Sequence, residues 1–545
     1  MIQVNKQANN TSMTYPKKSW MVLTGLMGLL LILAAIRPLA YPDEGRYAEI
    51  GRWMLQSGDW LIPRLNGLPF FHKPPLLYWL EALSFAALGA HPWVARLTPM
   101  LHAGLMLVAL YLAARRLGSE HLARRAVAML GTSLAFLAAG QYVNHDLMVA
   151  TWISIAIGSF AMAFMAGDKP DSMLARLGFV ACGLGILSKG LIGVALPSLV
   201  LLIWLIWTRQ LKKIRFLPWF SGLSLFGLIA LPWFYLAEQK FPNMLNYMFG
   251  MHHFQRFTGS SFNNNMPWWF YLAGLVVLFF PWVFFALAQL LASRSTTNTE
   301  TASKQGDRST FPPALISLCW IWVVAIVGFF SFPAAKIIGY ALPVIPPLAI
   351  LAAVGWQKIM GHRQRERQLF IALCAVNIAI ALGLTLAVGQ HTQKRAALDV
   401  GQAFACLAQP GDSLYVLDGF PYDLPFTAQM NKPMLVVQDW EALRRIQSDN
   451  WQSELMDAAD FDPVGARVLQ TTAQLELAQT QPGNWLLAAS NSSHTDILAA
   501  WHQVKQGSAW TLYRSTTSIA PGHTPDTTTA MTPPAPSNCG DANLK

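Results

Sequence analysis

Apolar stretches long enough to cross a bilayer recur along the first three quarters of this chain, and they constrain its fold more than any other feature. A spanning helix needs about 20 apolar residues, and by that measure roughly 11 runs qualify. They centre near Leu29, Leu105, Ser133, Ile155, Leu184, Val200, Gly227, Val277, Val323, Ala349 and Ala379. The run from Phe179 to Trp207 is broken only at Ser188-Lys189-Gly190. It reads as two helices, because a lysine at mid-membrane is costly. Composition agrees: 54% of the residues are apolar and 12% charged, against about 25% charged in a soluble globular protein. The expected fold class is therefore an all-α polytopic membrane domain of about 11 to 13 spans, followed by a small α/β domain.

The first run, Trp20 to Ile36, follows Lys17 and Lys18. It is long for a signal peptide, and Pro38 spoils a small-residue cleavage pattern, so it reads as an uncleaved first span. The formal charge is +11. The basic residues come in short clusters: Lys17-Lys18, Arg115-Arg116 with Arg124-Arg125, Lys212-Lys213-Arg215, Arg294 with Lys304 and Arg308, and Arg363-Arg365-Arg367. They fall in every second loop, the pattern that marks cytoplasmic loops. This speaks against nucleic-acid binding, which needs a continuous basic face. It puts the N-terminus (1–19) in the cytoplasm, a membrane domain at 20–391, a small extracytoplasmic domain at 392–516, and a Thr/Pro/Ser-rich disordered tail at 517–545. In a bacterial cell the outer side is the periplasm. Cys182, Cys319 and Cys374 lie inside apolar runs as ordinary core residues. Cys406 and Cys539 fall outside the membrane, where a bridge between them competes with two free thiols.

The loop at 41–92 reads as two helices lying along the membrane face. Asp43 is placed to cap one that starts at Glu44 and stops at Gly58. Pro74 and Pro75 open the other, which stops at Gly89. Beyond the membrane domain, the segments at Ser413–Leu417, Met434–Val437 and Trp485–Ala489 have the pattern of strands.

The outward loops carry ionisable residues against apolar neighbours. Asp43, Glu44 and Arg46 follow the first span, and His72 and Lys73 precede a helix. Asp146 opens another span, and Lys189 sits in a tight turn. His252, His253 and Arg256 share a loop, and Lys336 and Tyr340 begin the tenth span. Singly, each has an ordinary explanation: a solvated acid, a snorkelling cation, a helix cap, an interfacial histidine pair. Together they suit a reaction at a phosphate. Ionisable residues near a membrane tend to gather around a substrate. Cations hold a phosphate and stabilise its charge as it leaves, and a carboxylate can orient or deprotonate the attacking group.

The blocks that hold these residues are specific. Tyr41-Pro-Asp-Glu-Gly-Arg-Tyr-Ala-Glu, Gly58-Asp-Trp-Leu-Ile-Pro and His72-Lys-Pro-Pro-Leu-Leu-Tyr-Trp resemble the first outer loop of bacterial protein mannosyltransferase-like glycosyltransferases. These belong to the GT-C superfamily and use polyprenyl-phosphate sugars. Leu187-Ser-Lys-Gly-Leu-Ile-Gly, His252-His-Phe-Gln-Arg-Phe-Thr-Gly and Lys336-Ile-Ile-Gly-Tyr-Ala-Leu-Pro look like later blocks of that family. The branch they resemble is the lipid A aminoarabinose transferases.

The resemblance implies roles by position. Asp43 matches an acid at the catalytic centre and Asp146 a second acid facing the same cavity. Arg46, Lys73 and Tyr340 match groups that bind a lipid phosphate. Glu44, Lys189, Arg256 and Lys336 are further candidates. In that branch a glutamate stands where this chain has His72, and forms a metal site with a loop histidine. His72 with His252 or His253 would offer imidazole ligands to zinc instead. The implied partners are an undecaprenyl-phosphate sugar donor, membrane lipids, and lipid A or another envelope acceptor on the periplasmic face of the inner membrane. A protein acceptor is the alternative within the class. A transporter or flippase would place charges at mid-membrane, often with repeat symmetry, whereas here they cluster at one face. A non-catalytic scaffold would leave Asp43 without a role.

Overall fold

The structure, a computed structural model, describes residues 17–255, 264–293, 311–361, 363–445 and 450–516. Every apolar run of the sequence becomes a helix or a broken pair of helices. The helices used below are α1 (Lys17–Ala35), α2 (Asp43–Ser57), α3 (Leu76–Leu88), α4 (Leu97–Leu117), α5 (Glu120–Gly131), α6 (Leu134–Ala139), α7 (His145–Met165), α8 (Ser172–Lys189), α9 (Ile192–Trp207) and α10 (Trp219–Lys240). After them come α11 (Phe270–Leu278), α12 (Trp282–Ser293), α13 (Pro313–Ser331), α14 (Ile345–Met360) and α15 (Glu366–Gln393). Among the described residues, 7 helices are long and apolar enough to cross alone, and α11 with α12 passes the same test only as a pair bent by 114°, the geometry of a broken span or a re-entrant loop. Helices α1 and α9 are shorter apolar helices.

Two expectations change. The run around Ser133 is two helices rather than one, because the Ser133 side chain accepts from Phe136 N and starts α6 afresh. Asp43 is the first residue of α2 and makes no side-chain cap. The stops at Gly58 and Gly89 stand: both take positive φ, +71° and +81°, which glycine adopts at least cost. Lys189 ends α8 and Gly190 turns the chain into α9, as the split at that lysine requires.

Ion pairs collect the ends of the helices. At one end Arg115 pairs with Glu120 at 3.3 Å and Arg125 with Glu366 at 2.5 Å. Lys213 bonds the Phe164 carbonyl at 2.8 Å. The basic clusters of α4, α5 and the segment before α10 thus share that end with the start of α15. The opposite end is organised by Glu44, which has no exposed surface. Its carboxylate receives Arg37, and Arg96 at 2.7 Å, together with the N–H groups of Ala40 at 2.6 Å and Val143 at 2.9 Å. Burial opposes its charge, but Arg96 and Arg37 outweigh burial and hold the carboxyl at about 2. Glu44 is therefore a structural junction, and the correction to its candidate role is plain: it faces other helices instead of a cavity.

Outside the membrane helices, a six-stranded sheet has the order β5-β4-β3-β6-β8-β7. Its strands are β3 (Ser413–Leu417), β4 (Leu435–Val437), β5 (Leu469–Gln470), β6 (Asn484–Ala489), β7 (Trp501–Gln506) and β8 (Trp510–Ser515). The first four named in that order are parallel, and β8 and β7 add antiparallel. The strands expected near 413, 434 and 485 are present. The edge strand β7 is polar and mostly exposed, so its residues gave no alternating pattern. Cys406, before β3, is disulfide-bonded; Cys539 lies outside the described residues.

This sheet domain is seated on the loop at 41–92. The hairpin of β1 (Arg64–Leu65) and β2 (Leu68–Pro69) turns at Asn66-Gly67, both with positive φ, the residue pair such turns favour. Asn66 exchanges two hydrogen bonds with Met434, at 2.9 and 2.7 Å. Arg52 reaches the Met430 carbonyl at 2.6 Å. A Cβ at Gly45 would lie 2.7 Å from the backbone of Asp423, so the glycine after Glu44 is what lets α2 meet the domain.

Removing one partner of a buried ion pair costs about 3–5 kcal/mol. Glu44→Gln is therefore expected to lower the melting temperature of the detergent-solubilised protein at neutral pH by an amount corresponding to that loss. Because the folded-state value of about 2 lies below the ordinary 4.5, the Glu44 contribution is complete above about pH 4.5 and fades as the pH falls toward about 2. A melting profile across that window, steeper for wild type than for Glu44→Gln, is the check.

Candidate active site

Seven of the residues singled out from the sequence line a single cavity of about 300 Å³: Asp43, Arg46, His72, Lys73, Asp146, Lys189 and Tyr340. They come from five separate stretches of chain. Helix α2 carries Asp43 and Arg46 one turn apart. The segment before α3 brings His72 and Lys73. The start of α7 and the end of α8 supply Asp146 and Lys189, and the 3-10 turn Ile338–Val344 supplies Tyr340.

The two central carboxylates differ in how they are held. Asp146 is engaged at both oxygens: Lys189 pairs with Oδ1, and Asn144 Nδ2 donates to Oδ2 at 2.9 Å. Asp43 pairs with Arg46 through Oδ1, while among the described residues Oδ2 receives only the Tyr142 hydroxyl at 3.3 Å. The Asp43 side chain keeps 40% of its surface exposed. Asp43 is thus the carboxylate that can meet an incoming group, and Asp146 fixes Lys189, whose ammonium stands 4.5 Å from the centre of the Tyr340 ring.

Arg46 is held on two sides, by Asp43 and by Glu454 at 2.7 Å. Burial works against its charge, but Glu454, Tyr47, Tyr422 and Asp43 together outweigh burial and stabilise the guanidinium further. Its Nε is buried and has no acceptor among the described residues. An orphaned buried donor is uncommon, and such a group asks for a partner. A phosphate oxygen in the cavity would satisfy it with a charge-assisted bond.

One wall comes from a place the sequence did not point to. Helix α16 (Trp451–Phe461), in the sheet domain, presents Asn450 at its cap and Ser453, Glu454 and Asp457 to the cavity. Asp457 accepts from the Tyr247 hydroxyl at 3.1 Å, and the same hydroxyl is 2.9 Å from His72 Nε2. Burial raises the carboxyls of both Glu454 and Asp457, in Glu454 despite the neighbouring Arg46. In sequence, α16 is an ordinary amphipathic helix with Leu455, Met456 and Ala459 on its buried side. Its acids look like a solvated face until the domain is docked. Tyr47, His145 and Asn264 also line the cavity.

Lys336 does not line it. It is 4% exposed, and its ammonium bonds the carbonyls of Met266 at 2.9 Å and Pro333 at 2.5 Å. It pins together the segments 264–266 and 333–336, which corrects its reading as a substrate cation. The side chains of His252 and His253, and all of Arg256, lie outside the described residues. Among the described residues no three metal-ligating side chains gather, and His72 Nε2 is already engaged by Tyr247. The described residues therefore do not form a zinc site, and no step below depends on one.

Set against known proteins, residues 20–248 match the family described as dolichyl-phosphate-mannose-protein mannosyltransferase. A relative from Pectobacterium atrosepticum is 33% identical over 403 residues, covering 73% of this chain and 68% of its own length. One from Pseudomonas paraeruginosa is 32% identical over 378 residues, covering 68% of this chain, and the chain spans 64% of that protein. Both are named undecaprenyl phosphate-alpha-4-amino-4-deoxy-L-arabinose arabinosyl transferase. The crystal structure of ArnT from Cupriavidus metallidurans bound to undecaprenyl phosphate superposes with a TM-score of 0.76 at 24% identity, covering 93% of this chain and all of that one. An oligosaccharyltransferase from Archaeoglobus fulgidus reaches 0.50 at 13% identity, covering 91% of this chain and 74% of its own.

The fold is thus the GT-C fold, a multi-span membrane domain with a small sheet domain. The chain belongs to the family of the undecaprenyl phosphate-aminoarabinose arabinosyl transferases.

Close packing at Asp146 gives a prediction. A Cβ at Gly339 would run into Asp146 Oδ2 and lie 2.6 Å from its Cγ, whereas one at Gly328 would meet nothing within 4 Å. Overpacking of this kind costs about 1–3 kcal/mol. Gly339→Ala is expected to lower the melting temperature and Gly328→Ala to leave it near wild type, as read by thermal unfolding in detergent.

Proposed function

We propose that this protein transfers a sugar from a polyprenyl (undecaprenyl) phosphate donor to an envelope acceptor, lipid A or another glycolipid, at the periplasmic face of the bacterial inner membrane. What carries the reading is the meeting of three cations and two central carboxylates in one cavity at one end of the helices, with the Arg46 Nε donor left without an acceptor among the described residues. The donor phosphate sits between Lys73, Arg46 and Tyr340, with Lys189 behind. These groups neutralise the charge that builds on the phosphate as the bond to the sugar breaks. Asp43 orients the acceptor. If the nucleophile is a hydroxyl, its oxygen bonds the sugar carbon from the face opposite the phosphate, its proton passes to Asp43, and polyprenyl phosphate departs, so that the anomeric configuration inverts. If the nucleophile is a phosphate oxygen, already an anion, Asp43 need only position it.

The relatives' names supply the donor class and the sugar class for this proposal. What supports the proposed orientation, with the N-terminus in the cytoplasm, is that the basic clusters of α4, α5, the segment before α10 and the start of α15 share the end opposite the cavity, as basic cytoplasmic loops do. The sheet domain, roughly 392–516 on this reading, lies in the periplasm and closes the cavity with α16.

The test is mass spectrometry of lipid A and other envelope glycolipids from cells with wild type, with Asp43→Asn, and without the gene. A sugar-mass increment seen only with wild type is the expected result. Loss of a positioned acid or base costs about 10²–10⁴-fold, so Asp43→Asn should match the deletion. An identical lipid profile in all three strains would remove the glycolipid acceptor. A glycoprotein changed in its place would move the reading to a protein acceptor.

A further inference from the structure

A second large cavity lies in the other half of the membrane domain. It encloses about 600 Å³ between α4, α7, α8, α13 and α14, and its lining is almost wholly apolar, including Leu105, Gly158, Leu184, Trp322 and Ile350. Leu105 on its rim is 37% exposed, so the slot is open to the lipid side. Along α4 it runs from Leu105 to Leu117, about 18 Å at 1.5 Å per residue. One leaflet of hydrocarbon is about 15 Å deep, half of a core of about 30 Å. The slot is as deep as one acyl chain layer.

Its position names the leaflet. Helix α7 begins at the active cavity with Asp146 and reaches the slot only at Trp152; α8 leaves the slot at Leu184 and ends at Lys189. The slot therefore occupies the half of the membrane remote from the active cavity, and it ends where the basic clusters lie. There the charges are not equal. Arg115 and Arg124 both face Glu120, at 3.3 and 3.8 Å, and Arg125 pairs with Glu366 at 2.5 Å. Arg116, on the slot's own lining, is exposed and has no carboxylate in ion-pair distance among the described residues. An apolar slot one leaflet deep, with an exposed guanidinium at its headgroup end that no carboxylate of the described residues pairs, matches a lipid with an anionic head.

We propose that this slot binds one acyl chain of an anionic phospholipid from the leaflet opposite the active cavity, with the lipid phosphate on Arg116. Two of the walls, α7 and α8, carry Asp146 and Lys189 at their far ends, so the occupant also sets the spacing of that ion pair. The proposal does not depend on which sugar or acceptor the enzyme uses.

Purified, delipidated protein with phosphatidylglycerol or phosphatidylethanolamine added back, followed by native mass spectrometry of bound lipid, provides the test. Wild type is expected to retain phosphatidylglycerol in preference. Arg116→Ala should reduce that preference about fivefold, the fold-change equivalent to about 1 kcal/mol per basic residue near a charged surface, and Arg116→Lys should restore most of it. A Cβ at Gly158 meets nothing within 4 Å, so Gly158→Leu fills the slot without a backbone clash and should cut retention of both lipids. Equal retention of the two lipids by wild type, unchanged selectivity in Arg116→Ala, or displacement of the bound lipid only by a polyprenyl phosphate would each overturn the assignment. Arg116 is exposed, so its variants keep the test readable if Gly158→Leu does not fold.

Discussion

The buried carboxylate of Glu44 is the interaction on which the outer half of the molecule depends. It binds the end of α1 through Arg37, the approach to α4 through Arg96, and the loop before α7 through Val143 N. The same guanidiniums also bond Gln141 and the carbonyls of Ala34, Arg37 and Pro38, so the three elements are fixed in angle around one carboxylate. A charge so deeply buried is tolerated only with full compensation, and here two guanidiniums and two backbone donors provide it. The neighbouring residue, Asp43, inherits the rigidity, as does Asp146 three residues beyond Val143. Precise placement of reacting groups is worth several kcal/mol in any transfer reaction, and here it begins with a residue that touches no substrate.

The sheet domain extends that rigidity to the opposite wall. Gly45, Arg52 and Asn66 all bind it, and each lies within the first outer loop. The loop therefore works in two directions: inward, through Glu44, onto the membrane helices, and outward onto the domain that brings Glu454 to Arg46. This explains the density of specific residues in the loop. Most of the first motif serves packing, and of that block Asp43, Arg46 and Tyr47 face the cavity.

The membrane architecture was readable because long apolar runs leave few alternatives, and the backbone must satisfy itself within helices in lipid. The break at Lys189 was readable for the same reason. The break at Ser133 was not, since a serine within an apolar run carries too little cost to announce a new helix start. At the site, Asp43, Arg46, His72, Lys73, Asp146, Lys189 and Tyr340 stood out because charge beside a membrane is expensive. Glu44 and Lys336 stood out for that reason too, and the structure uses them to hold the frame. Glu454 and Asp457 were invisible because acids on a water-facing helix cost nothing. Only the long-range docking of α16 gives them a place, and no local pattern encodes that docking. The Asn66-Gly67 turn did carry a local signal, for the hairpin on which the domain rests.

The wall supplied by α16 also has a consequence in time. A chain made from its N-terminus acquires Asp43, Lys73 and Asp146 early, while the spans are still being inserted, and acquires residues 450–457 only after about four fifths of the 545 residues have been joined. Until then Arg46 lacks Glu454 and the cavity lacks a side. A half-made enzyme can hold its cations at the membrane surface, but it has no enclosed chamber in which to hold a reactive sugar away from water.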